Sequence, residues 1–174
     1  MNHIHNTYLE PLAVIGHGQL GSTLFNRLNK ICTTVYHLRH SDPIPKEVVM
    51  VFNCIPAKYQ HSSINKMRSD GYKGIIVDTS QKSEIPEAEL VLGKGNKKMG
   101  KNNSVFQDSD IYGYAKAFGD IGAYDIALID RQSKTSFVYA TNPLVFSKIA
   151  GLQQMMNIQP VFINDKSLIM QPGA

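Results

Sequence analysis

Three glycines, Gly16, Gly18 and Gly21, form a GxGxxG pattern inside the stretch LAVIGHGQLG. The pattern follows an apolar run and opens an amphipathic stretch, which is the strand–turn–helix context typical of a dinucleotide-binding turn. In that context the first glycine permits the sharp turn, the second lets a pyrophosphate approach the backbone, and the third lets the helix pack closely. Free N–H groups at the helix N-terminus then face the phosphates. The alternative is a glycine turn without a ligand.

The residues after the second predicted strand indicate which dinucleotide is bound. A binder of NAD usually places an acidic residue about 20 positions beyond the first glycine, whereas this chain has Arg39, His40 and Ser41 there. The guanidinium of Arg39 can bind a 2′-phosphate through paired N–H bonds, and the Ser41 hydroxyl can add a third. We therefore expect NADP. In the alternative, Asp42 binds the ribose and the cofactor is NAD, or Arg39 is a solvated surface charge.

The elements that must position these residues alternate between apolar strands and amphipathic helices. This alternation predicts an α/β fold: a Rossmann-type, doubly wound, mostly parallel sheet with flanking helices in a single domain. Strands are expected at Leu12–Ile15, Thr33–Leu38, Val48–Cys54, Gly74–Asp78, Ile111–Phe118, Ser136–Ala140 and Pro160–Ile163. Helices are expected at Gln19–Ile31, Ala57–Asp70, Ile121–Asp130 and from Pro143, with Asn142 as the N-cap.

Composition narrows the functional class. The 174 residues, 43% hydrophobic and 18% charged, fit one folded domain, with its core expected within residues 8–174. No membrane-spanning run or secretory signal is visible, so we expect a cytoplasmic protein without a membrane partner. The net charge of +4 favours anionic ligands, but no motif indicates a nucleic-acid partner. Cys32 and Cys54 are expected as buried free thiols, and no metal cluster is expected. Lys94–Ser104 is expected to be a mobile surface loop, or alternatively a lid.

Several segments, in this order, resemble the NADP-dependent oxidoreductases related to coenzyme-F420:NADP reductase, a group that includes the cytoplasmic domains of the STEAP metalloreductases. They are the glycine turn, the RHS turn, VVMVFNCIPA, GIIVDTS, YAKAFGDIGA and SFVYATNP with FIND. The resemblance spans almost the whole chain, and AKAFGDIGA is its most specific piece. It implies a Rossmann-type domain that binds NADPH and passes hydride to a flavin or deazaflavin such as F420.

The resemblance also implies which residues meet the cofactor. Those expected at the pyrophosphate are Gly16, Gly18, Gln19, Leu20 and Gly21, and those expected at the 2′-phosphate are Arg39, His40 and Ser41. Cys54, Ile55, Pro56 and Ala57 would pass the ribose and nicotinamide, Thr79 and Ser80 would lie near the ring, and Ala117 and Phe118 would border the ring and the second substrate. The alternatives are structural: a strand stop at Pro56, a cap at Thr79 and Ser80, and core packing of Phe118.

The chain departs from that group in three ways. Only Asp42–Glu47 separates the second and third strands, and its two prolines leave no room for a helix, so a shallower adenine pocket is expected. Gly119 stands where the group has the asparagine of KAFN. The chain also ends soon after the last expected strand, where many members of that group continue into a further helix, so we expect a flavin or deazaflavin site that is either incomplete or completed by a second subunit in a homodimer.

These observations favour an NADPH-dependent oxidoreductase that passes hydride to a flavin, F420 or another small-molecule acceptor. No acid–base side chain is needed, because the cofactor carries the chemistry. One alternative is a non-catalytic NADP-binding sensor or regulatory module. Another is a different Rossmann enzyme, such as a β-hydroxyacid or imine reductase, although those need an additional helical domain. His17, inside the glycine turn, is expected to be incidental.

Overall fold

The computed structural model describes residues 7–80 and 113–164, which fold around a single sheet. Seven strands lie in the order β2-β1-β3-β4-β5-β6-β7. They are β1 Leu12–Ile15, β2 Val35–Leu38, β3 Met50–Asn53, β4 Ile75–Asp78, β5 Gly113–Lys116, β6 Lys134–Ala140 and β7 Ile158–Phe162. The helices of these residues are α1 Gln19–Ile31, α2 Ala57–Ser69, α3 Ala123–Ala127 and α4 Pro143–Met155.

Strands β1 to β5 run parallel, β6 is antiparallel to β5, and β7 is again parallel to β6. The expected fold class, a Rossmann-type and mostly parallel sheet in a single domain, is therefore confirmed. Between β2 and β3 the chain passes over β1, so the loops after β1 and β3 diverge at the carboxyl edge of the sheet. Such a crossover point is where open α/β sheets bind ligands.

The two faces of the sheet are covered differently. Helices α1, α3 and α4 cover one face, where Leu24 and Leu28 of α1 pack on strand residues such as Phe52. On the other face α2 contributes Ile64 and Met67 to a smaller core. Because β1, β3 and β4 are buried on both faces, their residues are apolar in succession, apart from the final residue of β3 and of β4, rather than alternately apolar and polar.

The expected elements are all found, with shifts at their ends. Asn142 caps α4, because its side-chain oxygen accepts from Val145 N at 2.9 Å, with Pro143 in the first turn. Strand β7 begins two residues earlier than expected, so that Pro160 lies inside it. An edge strand tolerates a proline, because the N–H groups on its outer side need no partner in the sheet. Helix α3 is shorter than expected, since Leu128 leaves the helical conformation.

The connection between β2 and β3 contains turns and no helix, as its two prolines predict. Three sequence expectations lie outside the described residues: the loop Lys94–Ser104, the first part of the strand expected at Ile111–Phe118, and the chain end after Asn164. Among the described helices, none combines the length and the apolar character that crossing a membrane requires.

Candidate dinucleotide-binding site

The glycine turn joins β1 to α1 under tight packing. Gly16 has a φ of +114°, and a Cβ there would lie 2.3 Å from the carbonyl oxygen of Cys54. A Cβ on Gly21 would lie 2.3 Å from the carbonyl oxygen of Gly16. Backbone atoms of β1, α1 and the loop after β3 therefore meet at distances that only glycine permits.

Gly18 differs from its two neighbours, because a Cβ there would meet no atom within 4 Å. It is the N-cap residue of α1, where no side chain caps the helix and no acidic residue occupies the first turn. Gln19 is exposed and Leu20 is half-buried. The first N–H groups of α1 are thus available to an anion, and the open side of Gly18 leaves room for one.

The turn after β2 presents Arg39, His40 and Ser41, all three exposed. Asp42 closes this turn on itself: its Oδ2 accepts from Arg39 N at 2.8 Å, and its own N–H donates to the Arg39 carbonyl at 3.0 Å. The Asp42 carboxylate therefore stabilises the turn, because it holds in place the backbone that carries Arg39.

A cleft of about 940 Å³ connects the glycine turn, the basic turn and α2. Its lining is basic, since Arg39 and Lys66 line it and no acidic side chain does so among the described residues, although Lys66 also pairs at 2.6 Å with Asp70 outside the cleft. The full lining is Gly16, His17, Arg39, His40, Ser41, Ile55, Pro56, Tyr59, Ser62, Ser63 and Lys66. A second groove of about 660 Å³ lies between the β2–β3 connection and α2.

Helix α2 supplies four cleft residues that the sequence reasoning missed: Tyr59, Ser62, Ser63 and Lys66. The apolar period of this helix marks only its core face. The sequence signal that could have revealed them is an aromatic residue at an exposed position in the first turn of the helix that follows a buried strand. This residue is Tyr59, which is 52% exposed. An exposed ring on a cleft wall offers an apolar surface to a flat ligand.

The loop after β3 is held by an amide clamp. Gln60 Nε2 donates to the carbonyls of Asn53 at 2.7 Å and Ile55 at 3.1 Å, and Asn53 Nδ2 donates to Gln60 Oε1 at 2.9 Å. Ile55 and Pro56 line the cleft, and Ala57 begins α2. Burial raises the pKa of the Cys54 thiol to about 12, so this residue stays neutral at physiological pH.

The ends of β4 and β5 carry a buried polar cluster, which we define as Asp78, Ser80, Tyr114 and Lys116. Asp78 accepts from Ser80 N at 2.8 Å and from the Tyr114 hydroxyl at 2.9 Å. The Lys116 ammonium donates to the Ser80 carbonyl and lies 3.7 Å from Asp78 Oδ1. Both charged side chains are fully buried.

The sequence reasoning also missed this cluster, apart from Ser80. Its signal is positional: Asn53, Asp78 and Lys116 end three neighbouring strands in one register. Polar side chains that end otherwise apolar strands at the carboxyl edge are typical of sites in open α/β sheets. Burying an ion pair costs desolvation energy, which the hydrogen bonds within the cluster offset here.

The structure therefore brings only some of the predicted site residues together. Gly16, the basic turn, Ile55 and Pro56 line one cleft, whereas the predicted residues Gly18, Gln19, Leu20, Gly21, Cys54 and Ala57 adjoin these positions in the chain without lining it. Thr79, Ser80, Ala117 and Phe118 are buried and do not line that cleft. Phe118, with a φ of +66°, packs its ring 5.8 Å from that of Phe52 in the core. Their contact with a nicotinamide stays a prediction.

Sequence comparisons give no relative: no protein-family model matches the chain, and no curated protein does. Solved structures do match. A hypothetical protein from Sinorhizobium meliloti has a TM-score of 0.58 at 17% identity, covering 94% of this chain and 90% of its own. A proposed F420-dependent NADP reductase from Arthrobacter sp. FB24 has a TM-score of 0.55 at 14% identity, covering 88% and 84%.

A third match, to a pyrroline-5-carboxylate reductase from Coxiella burnetii, has a TM-score of 0.59 at 10% identity and covers 92% of this chain. The alignment covers only 61% of the reductase, so the similarity extends to that part of the enzyme and not to the whole of it. At these identities the three matches establish the fold. The resemblance that the sequence suggested is thereby confirmed at the level of fold, since the matches include a protein of that group.

Proposed function

We propose that this protein is an NADP(H)-dependent oxidoreductase that passes hydride between NADP(H) and a flavin, a deazaflavin such as F420, or another small acceptor. The observation that carries the proposal is the cleft between the glycine turn and the basic turn. Gly16 and His17 line it next to the open Gly18, which precedes the first N–H groups of α1, and the cations of Arg39 and Lys66 line it as well.

This arrangement fits NADP better than NAD. A 2′-phosphate at the basic turn would meet a guanidinium and a hydroxyl, both hydrogen-bond donors to a phosphate. An NAD-type site needs a carboxylate there to accept from the ribose hydroxyls. The carboxylate available, that of Asp42, is already bonded to Arg39 N and belongs to the neighbouring groove.

The chain's own residues then bind, orient and shield. The glycine turn and the start of α1 hold the pyrophosphate, Arg39 and Ser41 hold the 2′-phosphate, and Tyr59 covers the adenine. When bound, NADPH supplies a hydride, and the acceptor takes up a proton from solvent. The protein contributes by positioning rings and excluding water, which needs no acid–base residue. The match to a proposed NADP reductase supports this class of reaction.

The first test is a calorimetric titration of the full chain with NADP⁺ and NAD⁺. We expect NADP⁺ to bind at least tenfold more tightly, about 1.4 kcal/mol, because of the 2′-phosphate contacts. The second is NADPH oxidation with FMN, FAD and F420 as separate acceptors. Equal affinity for both dinucleotides would overturn the NADP assignment, and absence of binding would overturn the whole proposal.

A non-catalytic NADP-binding module is the second candidate. The observation that favours it is the burial of Ala117 and Phe118, the residues expected to border the second substrate, which are both 0% exposed. Under this function NADP⁺ binds selectively and none of the acceptors is reduced. The same two measurements therefore separate the candidates.

A further inference from the structure

Three aromatic rings are stacked beside the glycine turn. His37 of β2 lies in the middle, with the Phe25 ring centroid 4.5 Å away on one side and that of His17 3.7 Å away on the other. The interplanar angles of 19° and 13° make this a nearly parallel stack. His17 is its outer, exposed member, so a side chain inside the turn has a defined position.

Two hydrogen bonds tie the stack to the turn. His37 Nε2 lies 2.7 Å from the carbonyl oxygen of Gly16, and because a carbonyl oxygen only accepts, this nitrogen carries a proton. Ser22 of α1 donates its hydroxyl hydrogen to the His17 carbonyl at 3.3 Å. Both bonds anchor the backbone on either side of the His17 side chain.

The His17 ring belongs to the cleft rather than to the core. It lines the cleft next to Gly16, where the first N–H groups of α1 would face a pyrophosphate. Neither of its ring nitrogens has a hydrogen-bond partner among the described residues. The ring is therefore held by stacking alone, with its nitrogens available to a ligand.

We propose that His17 is a ligand of the dinucleotide pyrophosphate, held ready by the stack, and that it binds in its protonated form. This inference rests on the proposed function, since it needs a dinucleotide in the cleft. An imidazolium donates a charge-assisted hydrogen bond to a phosphate oxygen, which is about twice as strong as a neutral one. Histidine is the side chain whose charge ordinarily changes between about pH 5 and 8. The contribution of His17 to the affinity for the dinucleotide should therefore rise on acidification.

Other charged or titratable groups also lie near His17 and can contribute to the pH dependence of binding. His37 lies beneath it, Arg39 and His40 come from the turn after β2, and Lys66 faces it from α2. On α1 its neighbours Phe25 and Ser22 are uncharged. The 2′-phosphate of NADP⁺ itself titrates near pH 6. Comparing the protein with a single His17 variant at two pH values cancels the contributions that do not pass through His17.

The test measures the dissociation constants of NADP⁺ and 2′-AMP at about pH 6 and about pH 8 for the natural chain and for His17→Gln. Glutamine keeps a neutral hydrogen-bond donor at similar reach. For NADP⁺ we expect the variant to bind about tenfold more weakly at the lower pH, and within about threefold at the higher pH. For 2′-AMP, which has no pyrophosphate, we expect the variant to match the natural chain at both pH values.

Three results would overturn the inference while leaving the proposed function intact: no loss of NADP⁺ affinity, an equal loss at both pH values, or a matching loss for 2′-AMP. Failure of the natural chain to bind NADP⁺ or NAD⁺ at either pH would instead remove the proposed function, and this inference with it. His17→Asn, measured beside His17→Gln with thermal unfolding of both, excludes a folding defect as the cause.

Discussion

The two ends of the carboxyl edge of the sheet hold their polar groups in opposite ways. The first end is an open cleft, where the cation of Arg39 and the residues at the start of α1 are exposed. The other end, at β4 and β5, is a buried cluster in which Asp78, Ser80, Tyr114 and Lys116 bond one another. The first end has donors to offer a ligand, whereas the second uses its polar groups to fix the protein.

This contrast predicts which substitutions act on binding and which act on folding. An exposed donor changes the free energy of the bound state alone, because water satisfies it in the free protein. A buried charge changes the free energy of the folded state itself, since removal of one partner leaves the other desolvated and unpaired. The following substitutions test that division.

Lys116→Met should have the largest effect. It leaves Asp78 buried without its cation, so we expect the free energy of unfolding to fall by about 3–5 kcal/mol in a denaturant titration. Lys66→Met is the matched control, because the Lys66–Asp70 pair has the same charges but both side chains are about 60% exposed. That variant should lose at most about 0.5 kcal/mol of stability.

A double variant, Lys116→Met with Asp78→Asn, should recover part of the loss, because the buried charge disappears from both partners. NADP⁺ affinity of folded Lys116→Met, measured well below its unfolding midpoint, should stay within about threefold of the natural chain. A larger loss of affinity would place the buried polar cluster in the binding site and erase the contrast between the two ends.

Gly16→Ala and Gly18→Ala should separate folding from binding inside one turn. Alanine at position 16 meets the Cys54 carbonyl and a φ of +114°, so we expect a loss of about 2–4 kcal/mol in unfolding free energy. Alanine at position 18 meets nothing within 4 Å and costs only the preference for glycine at an N-cap, so stability should change by at most about 1 kcal/mol. Its methyl group would instead occupy the approach of the pyrophosphate and weaken NADP⁺ binding. Comparable stability losses in both variants would contradict these separate roles.

The difference between the two ends also explains what the sequence could predict. The strands and helices, the glycine turn and the basic turn follow from local patterns: apolar runs, GxGxxG, and the residue types after β2. The buried polar cluster depends on Asp78 of β4 meeting Tyr114 and Lys116 of β5, although Tyr114 lies 36 positions further along the chain. No local period reveals such a pairing, because register between distant strands is set by the assembled sheet.

The same reason accounts for His17. Its neighbours in the sequence are glycines, so the sequence predicts only a variable position in a turn. The stack that positions it comes from His37 on β2 and Phe25 on α1, which the fold alone brings together. Tyr59 is a similar case, since a helical period marks it as an exposed position without showing that a cleft lies beside it.

Arg39→Ala should act on binding alone. Loss of the guanidinium should weaken NADPH binding by about 1.5–3 kcal/mol, or about 10- to 150-fold, and leave NADH nearly unchanged. Because Arg39 is exposed, the unfolding free energy of the variant should stay within about 0.5 kcal/mol of the natural value. Arg39→Lys keeps the charge but loses the paired donors, so its affinity for NADPH should lie between those of the natural chain and Arg39→Ala. Equal losses for NADPH and NADH would rule out the 2′-phosphate contact.

Asp42→Asn should have the smallest effect, and it decides between the two roles open to this residue. If Asp42 only closes the turn, the side-chain oxygen of the introduced asparagine can still accept from Arg39 N, and the affinities for NADPH and NADH should each change by less than about threefold. If Asp42 instead binds the ribose, NADH affinity should fall more than NADPH affinity, because the carboxylate would accept from the free 2′-hydroxyl.

Asp42→Ala supplies the comparison, since it removes the turn contact as well. Without that contact the backbone presenting Arg39 loosens, so NADPH binding should weaken while NADH binding stays unchanged. The pair of variants therefore separates an acidic residue that shapes the basic turn from one that contacts the cofactor.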